Sequence, residues 1–151
     1  MTRRPAEIYL LSGAAVAGLA HAGFSVYWAF GGRWLLSTVG QWAVDYARDA
    51  PVLAGLVLAV VAAAKAAVAV VPLASTRVSL PHPRVWRSIS WLVAVVLVGY
   101  GGLNSVVAWL VLGGVLRPGG GYDRQAMIGH GYLWDPLFLI WGLLLAGGLL
   151  A

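Results

Sequence analysis

Four long apolar segments constrain the fold of this chain more than any other feature of its sequence. A helix rises 1.5 Å per residue, so about 20 apolar residues cross the hydrocarbon core of a bilayer. The segments lie at about residues 8–30, 52–74, 89–116 and 133–151 of a 151-residue chain. We therefore predict an all-α integral membrane bundle of four transmembrane helices, which forms a single domain over residues 1–151.

The composition excludes several other classes of protein. The chain is 61% hydrophobic and only 10% charged, whereas a soluble domain has about 25% charged residues. It has no cysteine, which excludes disulfides, thiolate metal sites and cysteine nucleophiles. The formal net charge of +5 is small and dispersed, so we expect the lipid bilayer and not nucleic acid as a partner.

The loop between the first two spans is predicted to contain a short interfacial helix at about residues 33–48. Leu35, Val39, Trp42 and Tyr46 fall on one helical stripe, at positions i, i+4, i+7 and i+11. Such a helix either lies flat in the headgroup region or packs on the outer end of the bundle. The glycine-rich loop over residues 117–131 is expected to be flexible and to cover the same end.

The distribution of arginine predicts the orientation in the membrane. With four spans, the two termini and the 75–88 loop share one side. That side holds five arginines, and the other side holds four. The five are Arg3, Arg4, Arg77, Arg84 and Arg87. The positive-inside rule then predicts that both termini lie inside. Residues 2–22 also mimic a cleavable signal peptide, but Glu7 and the aromatic residues that continue through Trp28 favour a retained first span.

Polar residues within the apolar segments are the strongest functional signal. Lys65 is the only lysine, and it lies inside the second segment, where a charge costs roughly 2.5–3.5 kcal/mol. The other segments carry His21 and Ser25; Tyr100, Asn104 and Ser105; and Asp135. Depths estimated from the helical rise descend from Asp135 through His21 and Asn104 to Lys65. Lys65 and Asp135 differ by about 13 Å in depth, so we do not expect them to form an ion pair.

Each of these residues also has an interpretation without function. The Lys65 stem is long enough to carry its amine toward the inner interface. His21, which shares a face with Ser25 and Trp28, and Asn104, which shares one with Tyr100, are explained by interhelical hydrogen bonds. Asp135 followed by Pro136 is typical of a helix N-cap and the first helical position.

Catalytic and metal-binding motifs are not apparent. The sequence has no nucleophile elbow, no phosphate-binding loop and no paired intramembrane carboxylates. His21, His130 and Asp135 are the three residues that could meet near the outer end, but no close spacing supports a metal site. We predict neither a metal nor a cofactor.

Two aromatic motifs carry a resemblance to a known family. They are YWAFGGRW at residues 27–34 and GHGYLWDP at residues 129–136, the latter followed by Trp141 and Gly142. With these motifs the chain resembles a domain-of-unknown-function family of small, four-helix bacterial membrane proteins. The resemblance implies a bacterial inner-membrane location and four spans, and it implies no activity. It draws attention to Trp28, Gly31, Gly32, His130, Trp134, Asp135 and Trp141.

Three functional hypotheses follow from the sequence. In the first, an intramembrane polar site binds a small or anionic ligand or relays protons, as in a transporter or carrier that forms a homo-oligomer. Its residues are Lys65, His21, Asn104 and Asp135, with Tyr100, Trp28 and Trp134 beside them. In the second, an intramembrane enzyme acts on a lipid-like or isoprenoid substrate, with Asp135 or His21 as the general acid. In the third, the chain is a structural or accessory membrane subunit.

Overall fold

The computed structural model describes residues 5–151 and is helical, without strands over that range. Arg3 and Arg4, which contribute to the predicted orientation, lie outside the described residues. Six α-helices occupy residues 5–151, together with one 3₁₀ turn at Leu36–Thr38: α1 Pro5–Ala29, α2 Gln41–Asp49, α3 Pro51–Ala74, α4 Pro83–Leu112, α5 Arg124–Tyr132 and α6 Trp134–Leu150.

Four helical segments in the described part of the chain are long and apolar enough to cross a membrane: Pro5–Ala29, Pro51–Ala74, Pro83–Leu112 and Arg124–Leu150. This confirms the predicted all-α bundle. The third segment begins six residues earlier than the apolar pattern indicated, at Pro83. Proline suits the first position of a helix because it lacks the N–H that would have no partner there.

The long helices pack in the order α3, α1, α6, α4, and α3 makes little contact with α4. The core between α1 and α6 is centred on Trp141 and Leu145, both 1% exposed. Small residues let the helices approach closely. A Cβ on Gly18 would overlap the ring of Trp141, and one on Gly101 would overlap the backbone of Asp135.

The two ends of the bundle differ in their connections. At one end, residues 75–82 join α3 to α4, and we call it the short-loop end. At the other end, residues 30–50 and 113–133 form longer connections, and we call it the long-loop end. The first long connection contains the 3₁₀ turn and α2, and the second contains α5.

The fourth membrane-length segment is interrupted at Leu133, which lies between α5 and α6 with φ −129° and ψ −70°. Pro136 explains the break. It has no N–H to donate to the carbonyl of Tyr132, and its ring would clash with that carbonyl in a continuous helix. Asp135 therefore lies inside the first turn of α6 and does not cap it, because the N-cap position belongs to Leu133. The predicted N-cap role of Asp135 is wrong.

The predicted helix over residues 33–48 is divided into two short elements, the 3₁₀ turn and α2. Leu35 adopts a left-handed conformation with φ 61°, and Gly40 has φ 139°, so a single helical stripe cannot pass through them. Both elements are held on α5. The Ser37 hydroxyl donates to Gln125 Oε1 at 2.9 Å, and the backbone N–H of Gln41 donates to Asp123 Oδ2 at 2.9 Å. Of the two predicted arrangements, the structure therefore has the one in which this loop packs on the end of the bundle.

Candidate functional site

Lys65 points into the bundle and toward the long-loop end. Its Nζ lies 3.1 Å from Nδ1 of His21 and donates to Oγ of Ser25 at 3.0 Å. His21 and Ser25 are one turn apart on α1, and Ser25 is the nearer of the two to the long-loop end. The amine is thus held by α1, and it does not extend toward the short-loop end.

The donor role of the lysine determines the protonation pattern of His21. When Lys65 is an ammonium, it has three N–H donors and no acceptor, so Nδ1 of a neutral His21 accepts and the ring proton lies on Nε2. His21 is 4% exposed, and its Nε2 has no hydrogen-bond partner within the described part of the protein. A buried unpaired polar group costs about 1–3 kcal/mol. Within the described residues, this ring nitrogen is therefore a buried polar atom without a partner.

The remaining surroundings of the pair are aromatic. The His21 ring stacks on Phe138 with centroids 3.9 Å apart, and it lies 5.6 Å from the ring of Trp134. The same Phe138 ring has the Lys65 amine 5.6 Å from its centroid, within cation–π range. Over residues 5–151, no carboxylate forms an ion pair with Lys65. A hydroxyl, an imidazole and an aromatic face take the place of a counter-ion.

A second polar pair lies at the long-loop end. His130 Nδ1 is 2.8 Å from Oδ2 of Asp135, and His130 Nε2 is 3.3 Å from the carbonyl of Val39. Asp135 is 1% exposed and lies in the first turn of α6. Both ring nitrogens of His130 face oxygen acceptors, so the geometry suits an imidazolium with two donors. Asp135 pairs with this histidine and not with Lys65.

An aromatic layer lies between the Lys65–His21 pair and the 3₁₀ turn. Trp134 lies edge-on to Trp28 and Phe24, with centroids 5.1 and 5.0 Å away. The indole N–H of Trp134 donates to Thr38 Oγ1 at 3.0 Å, and that of Trp28 donates to the carbonyl of Trp34 at 2.9 Å. The predicted site residues Trp28 and Trp134 thus pack this layer, and their polar atoms anchor the first long loop.

Two predicted site residues lie apart from Lys65. Tyr100 is 53% exposed on α4, with its ring edge-on to Phe138 at 6.0 Å. Asn104 lies one helical turn further along α4. Neither is a hydrogen-bond partner of the Lys65 amine, whose described partners are His21 and Ser25. The predicted set thus divides into a Lys65–His21 pair, an Asp135–His130 pair, and Tyr100 with Asn104.

Three of the cavities and grooves formed by the described residues stand out, and none of these is lined by Lys65, His21 or Asp135. One of about 360 Å³ lies at the short-loop end, and an apolar one of about 90 Å³ adjoins it between α3 and α4. The third, about 420 Å³, is a shallow groove between α1 and α3. Within residues 5–151, no group of three or more His, Asp or Glu side chains is arranged to hold a metal.

Comparison with known proteins identifies a family. The family described as "Protein of unknown function (DUF3995)" matches residues 18–145, which is most of the chain. The chain belongs to this family. The resemblance inferred from the two aromatic motifs is therefore confirmed. No curated protein and no solved structure matches the chain.

The residues that the DUF3995 match covers include both polar pairs, since His21, Lys65, His130 and Asp135 all fall within residues 18–145. The sequence indicated three of these four as site residues. The direct contact of His130 with Asp135 was not predicted, because the glycine-rich pattern placed His130 in a flexible loop over residues 117–131. That prediction is wrong for the last part of the loop: His130 lies on α5, which an interruption at Leu133 separates from α6. Pro136 was the available signal for it.

Asp123 is the other residue whose role the sequence did not indicate. Its Oδ1 accepts from the Ala126 amide at 3.0 Å, which makes it the N-cap of α5. Its Oδ2 accepts from Gln41, the first residue of α2. The bond from Ala126, with the second from Gln41, holds the pKa of this carboxyl below its ordinary value. One carboxylate thus fixes two helix starts and joins the two long loops that position His130.

Proposed function

We propose that this member of the DUF3995 family is a small, transporter- or carrier-like membrane protein that handles protons at the Lys65–His21 pair. One observation carries the proposal. Lys65 belongs to a membrane-length helix, and its amine lies 3.1 Å from Nδ1 of His21 on the neighbouring helix. Ionisable residues placed this way in membrane proteins commonly serve proton relays or ion pathways.

The pair supports proton transfer by a simple exchange. When Lys65 is neutral, its Nζ lone pair can accept a proton from Nδ1 of His21. His21 gains a proton at Nε2 as it gives up the one at Nδ1, so the ring returns to its neutral form with the other nitrogen protonated. Nε2 is free for this step because no hydrogen bond occupies it in the described part of the protein. Ser25 holds the amine in register with the imidazole.

The aromatic layer favours a gated carrier over an open channel. Trp134 lies against His21, and none of the three cavities reaches the pair. A proton therefore passes between His21 and the long-loop end only when this layer moves. Its attachment to the first long loop, through the Trp134–Thr38 hydrogen bond, supplies a means of coupling such a movement to a ligand at that end.

The proposal includes a location in the bacterial inner membrane with the short-loop end inside. Arg77, Arg84 and Arg87 lie at the short-loop end and near it, and basic residues accumulate on the inner side of a membrane. A homo-oligomer is part of the proposal because a four-helix bundle encloses little space of its own.

Proton flux into liposomes tests the proposal. Purified protein is reconstituted with a pH-sensitive dye inside the vesicles, and a potassium diffusion potential drives proton entry. We expect Lys65→Met and His21→Phe to lower the flux at least tenfold relative to wild type. Ser105→Ala is the matched control, because Ser105 is a buried serine that bonds only within its own helix. A wild-type flux equal to that of empty vesicles, or full flux in Lys65→Met, would contradict the proposal.

One observation favours the accessory-subunit alternative. The hydrogen-bond partners of Lys65, namely His21 and Ser25, both lie on α1, so the contacts also join α1 to α3. In that case, Lys65→Met and His21→Phe lower the thermal stability in detergent, while wild type and variants show the same background flux. The proton-handling proposal instead requires flux differences among variants that remain folded.

A further inference from the structure

The cavity at the short-loop end has the composition of a site for a charged headgroup. It is enclosed by the start of α1, the end of α3 and the start of α4, and its volume of about 360 Å³ falls within the range of about 300–1,000 Å³ for small-molecule sites. Arg77 and Arg87 line it together with the hydroxyl-bearing residues Thr76, Ser79 and Ser90. Glu7 also lines it, so two cations face one carboxylate.

An apolar groove continues from this cavity toward the middle of the bundle. It runs between α3 and α4, where the two helices make little contact, and it is lined by Ala67, Val68, Ile89 and Val93. Val71, Pro72, Trp86 and Ser90 line both spaces. The two are thus continuous, with a polar chamber at the membrane boundary and an apolar slot at the depth of the hydrocarbon.

Arg87 is fixed at this junction. Its Nη2 donates to the carbonyl of Leu149 at 2.6 Å, which holds the guanidinium beside the C-terminal end of α6. A guanidinium has five N–H donors, so the others remain for a phosphate, which arginine binds in a bidentate manner. Trp86, one residue before it, lines the passage between the polar and apolar spaces, in keeping with the preference of tryptophan for the membrane interface.

We propose that the space between α3 and α4 at the short-loop end binds one anionic phospholipid, with the phosphate at Arg77 and Arg87 and an acyl chain in the apolar groove. The charge of the two arginines selects an anionic headgroup. Because the polar cavity continues into the apolar groove, the site selects a molecule with both a headgroup and an acyl chain. Basic pockets between transmembrane helices bind lipid headgroups in this way. The site is separate from Lys65 and His21 and does not depend on the proposed proton handling.

Native mass spectrometry of the full chain in detergent tests this site. The protein is titrated with phosphatidylglycerol or with phosphatidylcholine of the same acyl chains. We expect wild type to bind the anionic lipid about 25-fold more tightly, from roughly fivefold for each of two arginines near the headgroup. The double variant Arg77→Gln/Arg87→Gln should lose this preference. Arg33→Gln/Arg124→Gln should retain it, since these exposed arginines at the other end line neither space.

Two further binding measurements complete the test. Ile89→Trp keeps both arginines and fills part of the groove from an exposed position, so it should weaken binding of phosphatidylglycerol even if the arginine variant does not fold. Inorganic phosphate at millimolar concentration should not displace the lipid, because it cannot use the groove. The proposal is overturned by equal binding of both lipids to wild type, by equal losses in the two double variants, by unchanged binding in Ile89→Trp, or by displacement with phosphate alone.

Discussion

At the scale of single residues, the site depends on a few close approaches that only small side chains allow. Gly129 lies so near the backbone carbonyl of Thr38 that a Cβ would overlap it. That contact holds the 3₁₀ turn against α5, one residue before His130. The Asp135–His130–Val39 chain of hydrogen bonds therefore depends on a glycine that takes no part in it.

Gly129→Ala is expected to destabilise the protein, while Gly99→Ala is the matched control. Both glycines are helical, and a Cβ on Gly99 meets nothing within 4 Å. Alanine favours a helix over glycine by roughly 1 kcal/mol, so Gly99→Ala should raise the melting temperature in detergent. Gly129→Ala should lower it, because Thr38 must move. Equal shifts in the same direction would show that the Gly129–Thr38 contact has no energetic weight.

At the scale of secondary-structure elements, prediction from sequence succeeded for the long helices and failed for the connections. Four apolar runs determine four membrane-length helices, because every backbone group in lipid must bond within its own helix. The elements at the long-loop end instead depend on tertiary contacts that no local pattern encodes. Asp123 bonds to Gln41 across 82 residues, and Trp134 bonds to Thr38 across 96.

Asp123 connects these elements, and its replacement should lower the stability of the long-loop end. Loss of an N-cap costs about 1 kcal/mol, and Asp123→Ala also removes the acceptor for Gln41. We expect faster hydrogen exchange in α2 and α5 and unchanged exchange in α1 and α6. Asp45→Ala is a suitable control, since Asp45 is a partly exposed residue whose described side-chain partners are Arg48 and Gln41 of its own helix. Uniform changes across all helices would argue against a local role.

The same carboxylate predicts a pH dependence. Because its pKa is lower in the folded protein than in the unfolded chain, the stability that it contributes is complete above an unfolded pKa of about 4. That contribution is lost as the pH falls from there through the folded pKa. The protection of the α5 amides, measured relative to their intrinsic exchange rates, should therefore fall below about pH 4 in wild type, and the fall should be smaller in Asp123→Ala. An identical pH profile in the two proteins would contradict this assignment.

At the scale of the whole molecule, the sequence indicated the fold and several residues of the candidate site. The apolar runs predicted the bundle, and the single lysine identified Lys65 as the unusual residue. Depth arithmetic separated Lys65 from Asp135, and in the structure Asp135 pairs with His130. Arithmetic along each helix cannot give the direction of a side chain, which depends on helix rotation and order. The order α3, α1, α6, α4 brings Lys65 to His21, while Asn104 and Tyr100 lie on α4.

Solid-state ¹⁵N NMR of the protein in lipid bilayers tests the central claim most directly, which is that the Lys65 amine is hydrogen-bonded to His21 inside the bundle. The chain has three histidines, and His21→Phe assigns the signals of His21. With Lys65 protonated, we predict an unprotonated Nδ1 and a protonated Nε2 for His21 in wild type. Lys65→Met should change this pattern, and Ser105→Ala should leave it as it is. Identical His21 spectra in wild type and Lys65→Met would contradict the account.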